Sequence, residues 1–456
     1  MTSGPAHSPS STPTDRSLAR IVSASLVGTT VEWYDFFLYS SAAALVFNKL
    51  FFPTSDPLTG TLLAFTTYAI GFLARPIGGL IFGHYGDKIG RKKLLVISLL
   101  MMGGATFAMG LLPTYATIGI AAPILLTLLR LVQGFALGGE WGGAVLIVSE
   151  HGGARRRGFW ASWPQCGAPG GNLLATAVLA ILAAVQTDEA FLSWGWRVPF
   201  LLSAVLVVIG LWIRLAVAES PVFLAAQAKA EARGVAEKAP IVQVFKHSWR
   251  QVLIAMGARM GENVSYYVIT AFILVYITES LGLAKSVGLN AVLIGSAIHF
   301  VTIPLWGLLS DRVGRRGVYL FGAVGMAAWG FVFFALLDSR SFGVIAFATT
   351  VGLVLHGAMY GPQAAFFSEL FGTRVRYSGA SVGYQLASIL AGAIAPLVAV
   401  ALLNAWDSTL PVSLYLLAMC ALTVVAVVVA KETRGSELDD DDALPSVSAE
   451  VAQVTR

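Results

Sequence analysis

Twelve long apolar runs dominate this chain of 456 residues, at roughly 20–47, 58–84, 93–112, 117–150, 158–186, 195–217, 250–280, 287–310, 317–337, 341–370, 377–404 and 409–430. A helix needs about 20 such residues to cross a hydrocarbon layer of about 30 Å, and each run is long enough. In lipid the backbone must satisfy its own hydrogen bonds, which leaves helices or closed β-barrels. Barrel strands alternate apolar and polar residues, whereas these runs are apolar throughout. Charged residues make up only 12% of the chain, about half the share of a soluble domain. The expectation is an all-α membrane protein with twelve transmembrane helices.

The loops give it an orientation. Lys88, Arg91, Lys92 and Lys93 lie in the second loop, Arg155, Arg156 and Arg157 in the fourth, and Arg312, Arg315 and Arg316 in the eighth, while odd-numbered loops carry few such residues. The positive-inside rule then puts the even loops and both termini in the cytoplasm. This dispersed basic charge reads as membrane orientation and excludes a nucleic-acid partner. The longest connection contains AAQAKAEARGVAEK and splits the chain six plus six. The expected organisation is a disordered arm at 1–19 without a cleaved signal, a helical bundle at 20–218, a linker at 219–248, a second bundle at 249–430, and an acidic tail at 431–456. Cys166 and Cys420 sit within apolar runs and read as packing residues.

The halves repeat. GHYGDKIGRK, Gly83 to Lys92, returns as GLLSDRVGRR, Gly307 to Arg316, with Gly83, Asp87, Gly90 and Arg91 matched by Gly307, Asp311, Gly314 and Arg315. Ser149-Glu150 and Ser368-Glu369 echo one another more faintly. A parallel repeat of two six-helix halves places a substrate site near the midplane between them. The repeated GxxxDxxGR(K/R) loop resembles the signature of the major facilitator superfamily. GTTVEWYDFFLY at 28–39, RPIGGLIFGHYGDKIGRK at 75–92, RLVQGFALGGEWGGA at 130–144, SWGWRVPF at 193–200 and RYSGASVGYQLAS at 376–388 resemble its metabolite:proton symporter family. That resemblance implies two six-helix pseudo-repeats in the cell inner membrane and proton-coupled uptake. Members carry shikimate, 2-oxoglutarate, citrate, proline or betaine. It also implies that Gly83, Asp87, Gly90, Arg91, Asp311 and Arg315 form a conformational latch, with Asp87 facing a helix N-terminus in the opposite half.

Ionisable side chains at membrane depth are costly and mark function. In the first run Glu32 and Asp35 share a helical face, and a carboxylate that titrates with its surroundings is what proton coupling requires. Arg130, Gln133 and Glu140 share an arc of the fourth helix. There Arg130 has either a structural role, paired with Glu140, or control of the proton affinity of Asp35. The proton-coupling set is therefore Glu32, Asp35, Arg130 and Glu140. In the seventh run Arg259, Glu262 and Tyr266 form a stripe with Tyr267 beside it. Arg259 is suited to a carboxylate, unless Glu262 simply neutralises it. Tyr34, Gln133, Gln165, Tyr360 and Gln385 complete the candidate substrate contacts, and His299 and Gln363 are further polar candidates. Pro164, Pro169 and Gly170 are expected to kink the fifth helix.

No Walker loop, HExxH or G-x-S-x-G occurs, so neither ATP drive nor an enzyme is supported. No cofactor, metal or obligate protein partner is implied, and the expected partners are a small-molecule substrate, protons and the lipid bilayer. Uptake of an organic acid leads, osmolyte uptake of the proline and betaine kind follows, and a sensor that no longer transports is a remote third.

Overall fold

A computed structural model describes residues 15–53, 56–89, 91–138, 154–216, 248–372 and 376–436, with single residues at 145, 148, 149, 244 and 246. Among the described residues every regular element is a helix. We number the membrane segments α1 to α12. α1 spans Asp15–Ala42 and continues through a π-helical turn, Ala43–Phe47, into Asn48–Leu50. α2 is Pro57–Ile89, α3 Arg91–Leu111 and α4 Ala121–Leu137. α5 is Arg157–Val185 and α6 Arg197–Ala216. α7 is Trp249–Ser280, α8 Lys285–Val313, α9 Arg315–Leu337 and α10 Phe342–Leu370. α11 runs from Arg376–Ala387 through the wide turn Ser388–Ala393 to Ala395–Trp406, and α12 is Leu410–Val429. Each expected run thus carries a helix.

The pairing of helices repeats between halves. α1 packs on α5 as α7 packs on α11, α2 on α4 as α8 on α10, and α3 on α6 as α9 on α12. The halves meet through α5 against α8 and α2 against α11, which are matching pairs under the same repeat. Lipid gives helices little hydrophobic reason to associate, so close backbone contact has to supply the packing. In the α2–α4 pair a β-carbon added to Gly134 would sit 1.8 Å from the Gly71 carbonyl oxygen, which leaves room for no side chain there. Ile181, Val185, Trp212, Val301, Leu305, Phe347 and Val429 point outward, as a lipid-facing belt requires.

α5 breaks at Cys166, just after Pro164, whose ring cannot supply an intrahelical N–H; this is the expected kink. Both cysteines are buried and unpaired with each other. Two ends differ from the sequence reading. α1 begins at Asp15, inside the stretch read as an arm, and residues 431–436 at the start of the tail fold back onto the protein. The 219–243 part of the linker lies outside the described residues.

Candidate substrate and proton site

α7 is buried along nearly its whole length, so its polar stripe faces other helices and not lipid. It borders a small central cavity of about 10 Å³ between the halves, room for about one water. Arg259, Glu262, Asn263, Tyr266 and Tyr267 line it from α7, His356 and Tyr360 from α10, and Trp33 and Phe37 from α1. The Arg259 guanidinium lies 3.3 Å above the ring of Tyr384, donates to Asn263 Oδ1 at 3.0 Å and stands 3.2 Å from Glu262 Oε2. Glu262 also accepts from Gln363 Nε2 at 3.1 Å and meets His356 Nε2 at 3.1 Å. His356 Nδ1 is 3.0 Å from His299 Nε2. Gln363 in turn donates to the hydroxyl of Tyr319, whose own proton goes to the Ala258 carbonyl. Arg259 Nη1, Asn263 Nδ2 and the Tyr266 hydroxyl are buried without a hydrogen-bond partner among the described residues. Buried polar atoms in that state favour a polar guest.

A second cluster occupies the other half. Asp35 is 1% exposed and lies near Thr106 and Arg130, with no hydrogen bond of standard geometry to its carboxylate among the described residues. Arg130 donates to Gln133 Oε1 and rests among the rings of Tyr39, Tyr68 and Phe36 at 4.4, 4.7 and 4.9 Å. Gln133 passes the link on, donating to Thr106 at 2.9 Å. Arg75, which sequence reasoning missed as a site residue, is equally buried, 4.0 Å from the ring centre of Phe72 and 4.6 Å from that of Phe36. No carboxylate pairs with it among the described residues. Aromatic faces thus carry much of the burden of holding these cations in place.

Not every candidate reaches the cavity. Tyr34 turns toward α6 and donates to the Pro199 carbonyl at 2.7 Å. Gln165 Nε2 donates to the Tyr360 carbonyl at 3.4 Å, and Gln385 Nε2 to that of Gly138 at 3.4 Å, so both bridge the two halves. Glu32 is buried on α1. Glu140 and Gly90 lie outside the described residues, as do the side chains of Asp87 and Arg91 and the surroundings of Gly83. Sequence reasoning also missed Tyr384 and His356.

The second copy of the repeated loop lies within the described residues. Asp311 accepts from the backbone amides of Gly158 and Phe159, at 2.8 and 2.9 Å, at the N-terminus of α5. An acid from one half thus sits on a helix N-terminus of the other, where the helix dipole favours negative charge. Arg315 joins Asp311 at 2.6 Å and Glu369 at 3.2 Å, while Arg157 reaches Glu369 from across the interface at 2.8 Å. The tail closes the cluster. Glu432 accepts from the amides of Arg315 and Arg316 at the start of α9, Thr433 donates to Glu369, and the Ser436 carbonyl accepts from Arg157. Lys285 of α8 pairs with Asp188, a further tie between the halves.

A fold of this kind has known company. The family model described as "Sugar (and other) transporter" matches residues 21–444. The chain belongs to that family. It is a secondary transporter with the major facilitator fold, and not an enzyme. The Shikimate transporter of Escherichia coli (strain K12) is 41% identical over 90% of this chain and 94% of its own. An inner membrane metabolite transport protein of the same organism is 42% identical, over 92% and 95%. The Proline/betaine transporter of Salmonella typhimurium is 34% identical, over 93% and 85%. Among solved structures, that of a D-xylose-proton symporter superposes with a TM-score of 0.71 at 19% identity, covering 92% of this chain and 99% of the other. That likeness establishes the fold alone.

Proposed function

We propose that this transporter carries a small organic acid of the shikimate or 2-oxoglutarate kind into the cell together with protons, by alternating access. The observation that carries the reading is the cavity-lining Arg259, whose planar fork retains an unpartnered arm beside the unpartnered Nδ2 of Asn263 and hydroxyl of Tyr266. A carboxylate entering from water loses hydration worth several kcal/mol, and a bidentate cation at the cavity offsets it. The resemblance in sequence to a shikimate transporter points the same way.

In this reading Asp35 takes and releases the coupled proton, Glu32 is its polar neighbour, and Arg130, with Glu140 on the same helix, sets its proton affinity. Asp87, Arg91, Asp311 and Arg315, with the glycines Gly83 and Gly90, hold the cytoplasmic side shut. The latch end faces the cytoplasm with both termini, as the positive loops require.

An osmolyte reading is favoured by one observation, the number of tyrosine faces around the cavity, since a quaternary ammonium group binds well on such faces. Purified protein in proteoliposomes decides. With an inward-acid gradient, labelled shikimate or 2-oxoglutarate accumulates if the leading reading holds. Accumulation of betaine or proline alone selects the second reading. Saturable binding with no accumulation of any of them selects a sensor.

A further inference from the structure

Two buried imidazoles have no work in the reading above. His299 in α8 and His356 in α10 are almost entirely buried, 0% and 1% exposed, and they connect in line to Glu262. Glu262 Oε2 already takes the Gln363 amide and faces Arg259, which favours an ionised carboxylate. His356 then donates its Nε2–H to Glu262 Oε1. The remaining contact, between His356 Nδ1 and His299 Nε2, has room for a single hydrogen. Without an added proton His299 donates it to neutral His356. With one, the pair shares a positive charge, and His299 Nδ1, which has no partner among the described residues, is where that proton enters or leaves.

We propose that His356 and His299 form a second proton-binding site of the transport cycle, which fills as an anionic substrate docks beside Arg259. The proposal rests on the organic-acid reading. The titratable and charged groups facing the pair are Arg259, Glu262, Tyr266 and Tyr267 from α7, Tyr360 from α10, Tyr319 from α9 by way of Gln363, Tyr384 from α11 and Cys166 from α5. Tyrosines and a buried thiol are neutral near pH 7, so the fixed charges in the hydrogen-bonded chain itself are Glu262 and its partner Arg259, which cancel, while the buried Arg75 of α2 stacks on Phe36 and Phe72. A proton alone leaves the cluster with one positive charge in a poorly polarisable interior, and a carboxylate alone leaves one negative charge. Both together leave none. Each arrival therefore favours the other, and by linkage the effect is reciprocal. The site lies in the half opposite Asp35, so the two proton sites report on different helices.

Two measurements on the full-length protein test this. In the first, the histidines carry ¹⁵N and the imidazole signals are followed from about pH 5 to 9, with and without shikimate. His299 and His356, assigned by their loss in His299→Gln and His356→Gln, should titrate as one step that moves to higher pH when shikimate is added, and either substitution should abolish the step. Two independent titrations, or rings that hold one protonation state throughout, overturn the proposal. The second measurement counts protons taken up per shikimate in proteoliposomes. His299→Gln, outside the cavity lining, should take up roughly one fewer than the unmodified protein while still exchanging substrate across the bilayer. An unchanged count overturns it. If the unmodified protein binds and moves no organic acid, the substrate reading fails in that arm, and the first measurement still judges the pair.

Discussion

Gly158 at the start of α5 and Gly307 in α8 approach so closely that a β-carbon on Gly158 would lie 2.6 Å from the Gly307 carbonyl oxygen. The same atom would be 2.4 Å from Arg315 Nη1 and 2.8 Å from Asp311 Oδ1. Overpacking of this kind costs about 1–3 kcal/mol, which moves a two-state equilibrium about 5- to 150-fold. Gly158→Ala should therefore open the latch. A cysteine placed at Ser162 should react faster with a membrane-impermeant thiol reagent applied from the latch side, and equal labelling with and without Gly158→Ala would show that the halves do not part here.

Asp311→Asn keeps the size of the side chain but removes the charge that faces both the α5 N-terminus and Arg315. Hydrogen bonds to charged groups are worth about 1.5–3 kcal/mol, so uptake should fall roughly tenfold or more while membrane insertion is unchanged. Asp87→Asn, the matching position, should also slow uptake. Uptake at the unmodified rate in well-expressed protein would refute both.

Asp35→Asn should abolish accumulation driven by a pH gradient yet allow counterflow exchange, because an amide keeps the hydrogen-bonding shape but cannot titrate. If the variant still concentrates substrate, the proton is carried elsewhere, with Glu32 or the histidine pair next in line.

Arg259→Lys keeps a charge but loses the planar surface stacked on Tyr384, so an organic acid should bind more weakly, by roughly tenfold. Arg259→Ala should lose binding nearly completely. It also strands Glu262, at a cost of about 3–5 kcal/mol, so the double change Arg259→Ala, Glu262→Gln is the cleaner comparison. Tight acid binding by that double variant would move the anion contact to Arg75 or Arg130.

Glu432 lies beyond the last membrane helix. Burial alone would raise its carboxyl, but backbone amides of Arg315, Arg434, Arg316 and Thr433 outweigh that and hold it below the usual range. The carboxylate cap is then complete above an ordinary glutamate value of about 4.3 and is lost only as pH falls further. Glu432→Gln should change the transport rate without moving its pH profile between about pH 5 and 8, and a shifted midpoint in that window would contradict the assignment.

The helices were legible because each must bury about 20 residues in lipid, which writes an unbroken apolar run into the chain. The stripe of Arg259, Glu262 and Tyr266 was legible because helical spacing puts residues three and four apart on one face. What joins distant helices left no such mark. His356 is a single histidine in GLVLHGAMYG, and nothing in that stretch indicates His299 fifty-seven positions earlier as its partner. Tyr384 sits in RYSGASVGYQLAS, and nothing in that stretch indicates Arg259 as its partner. Arg75 opens the motif RPIGGLIFGHYGDKIGRK, and only packing reveals it clasped between Phe36 and Phe72. The repeat did transmit one geometric fact: the acid expected on a helix N-terminus from Asp87 is observed at Asp311, the second copy.

The fold-back of Lys431–Ser436 has a practical side. Trimming a membrane protein flush with its final helix, or fusing a fluorescent reporter there, usually spares its activity. Here a cut after Val429 would strip the caps from α9 and unhook Arg157, so the shortened protein would rest in a different posture from the native one. Any purification tag belongs after Ser436, and a ligand or enzyme that tugs on the acidic run would be pulling on the ion cluster of Arg157, Arg315 and Glu369.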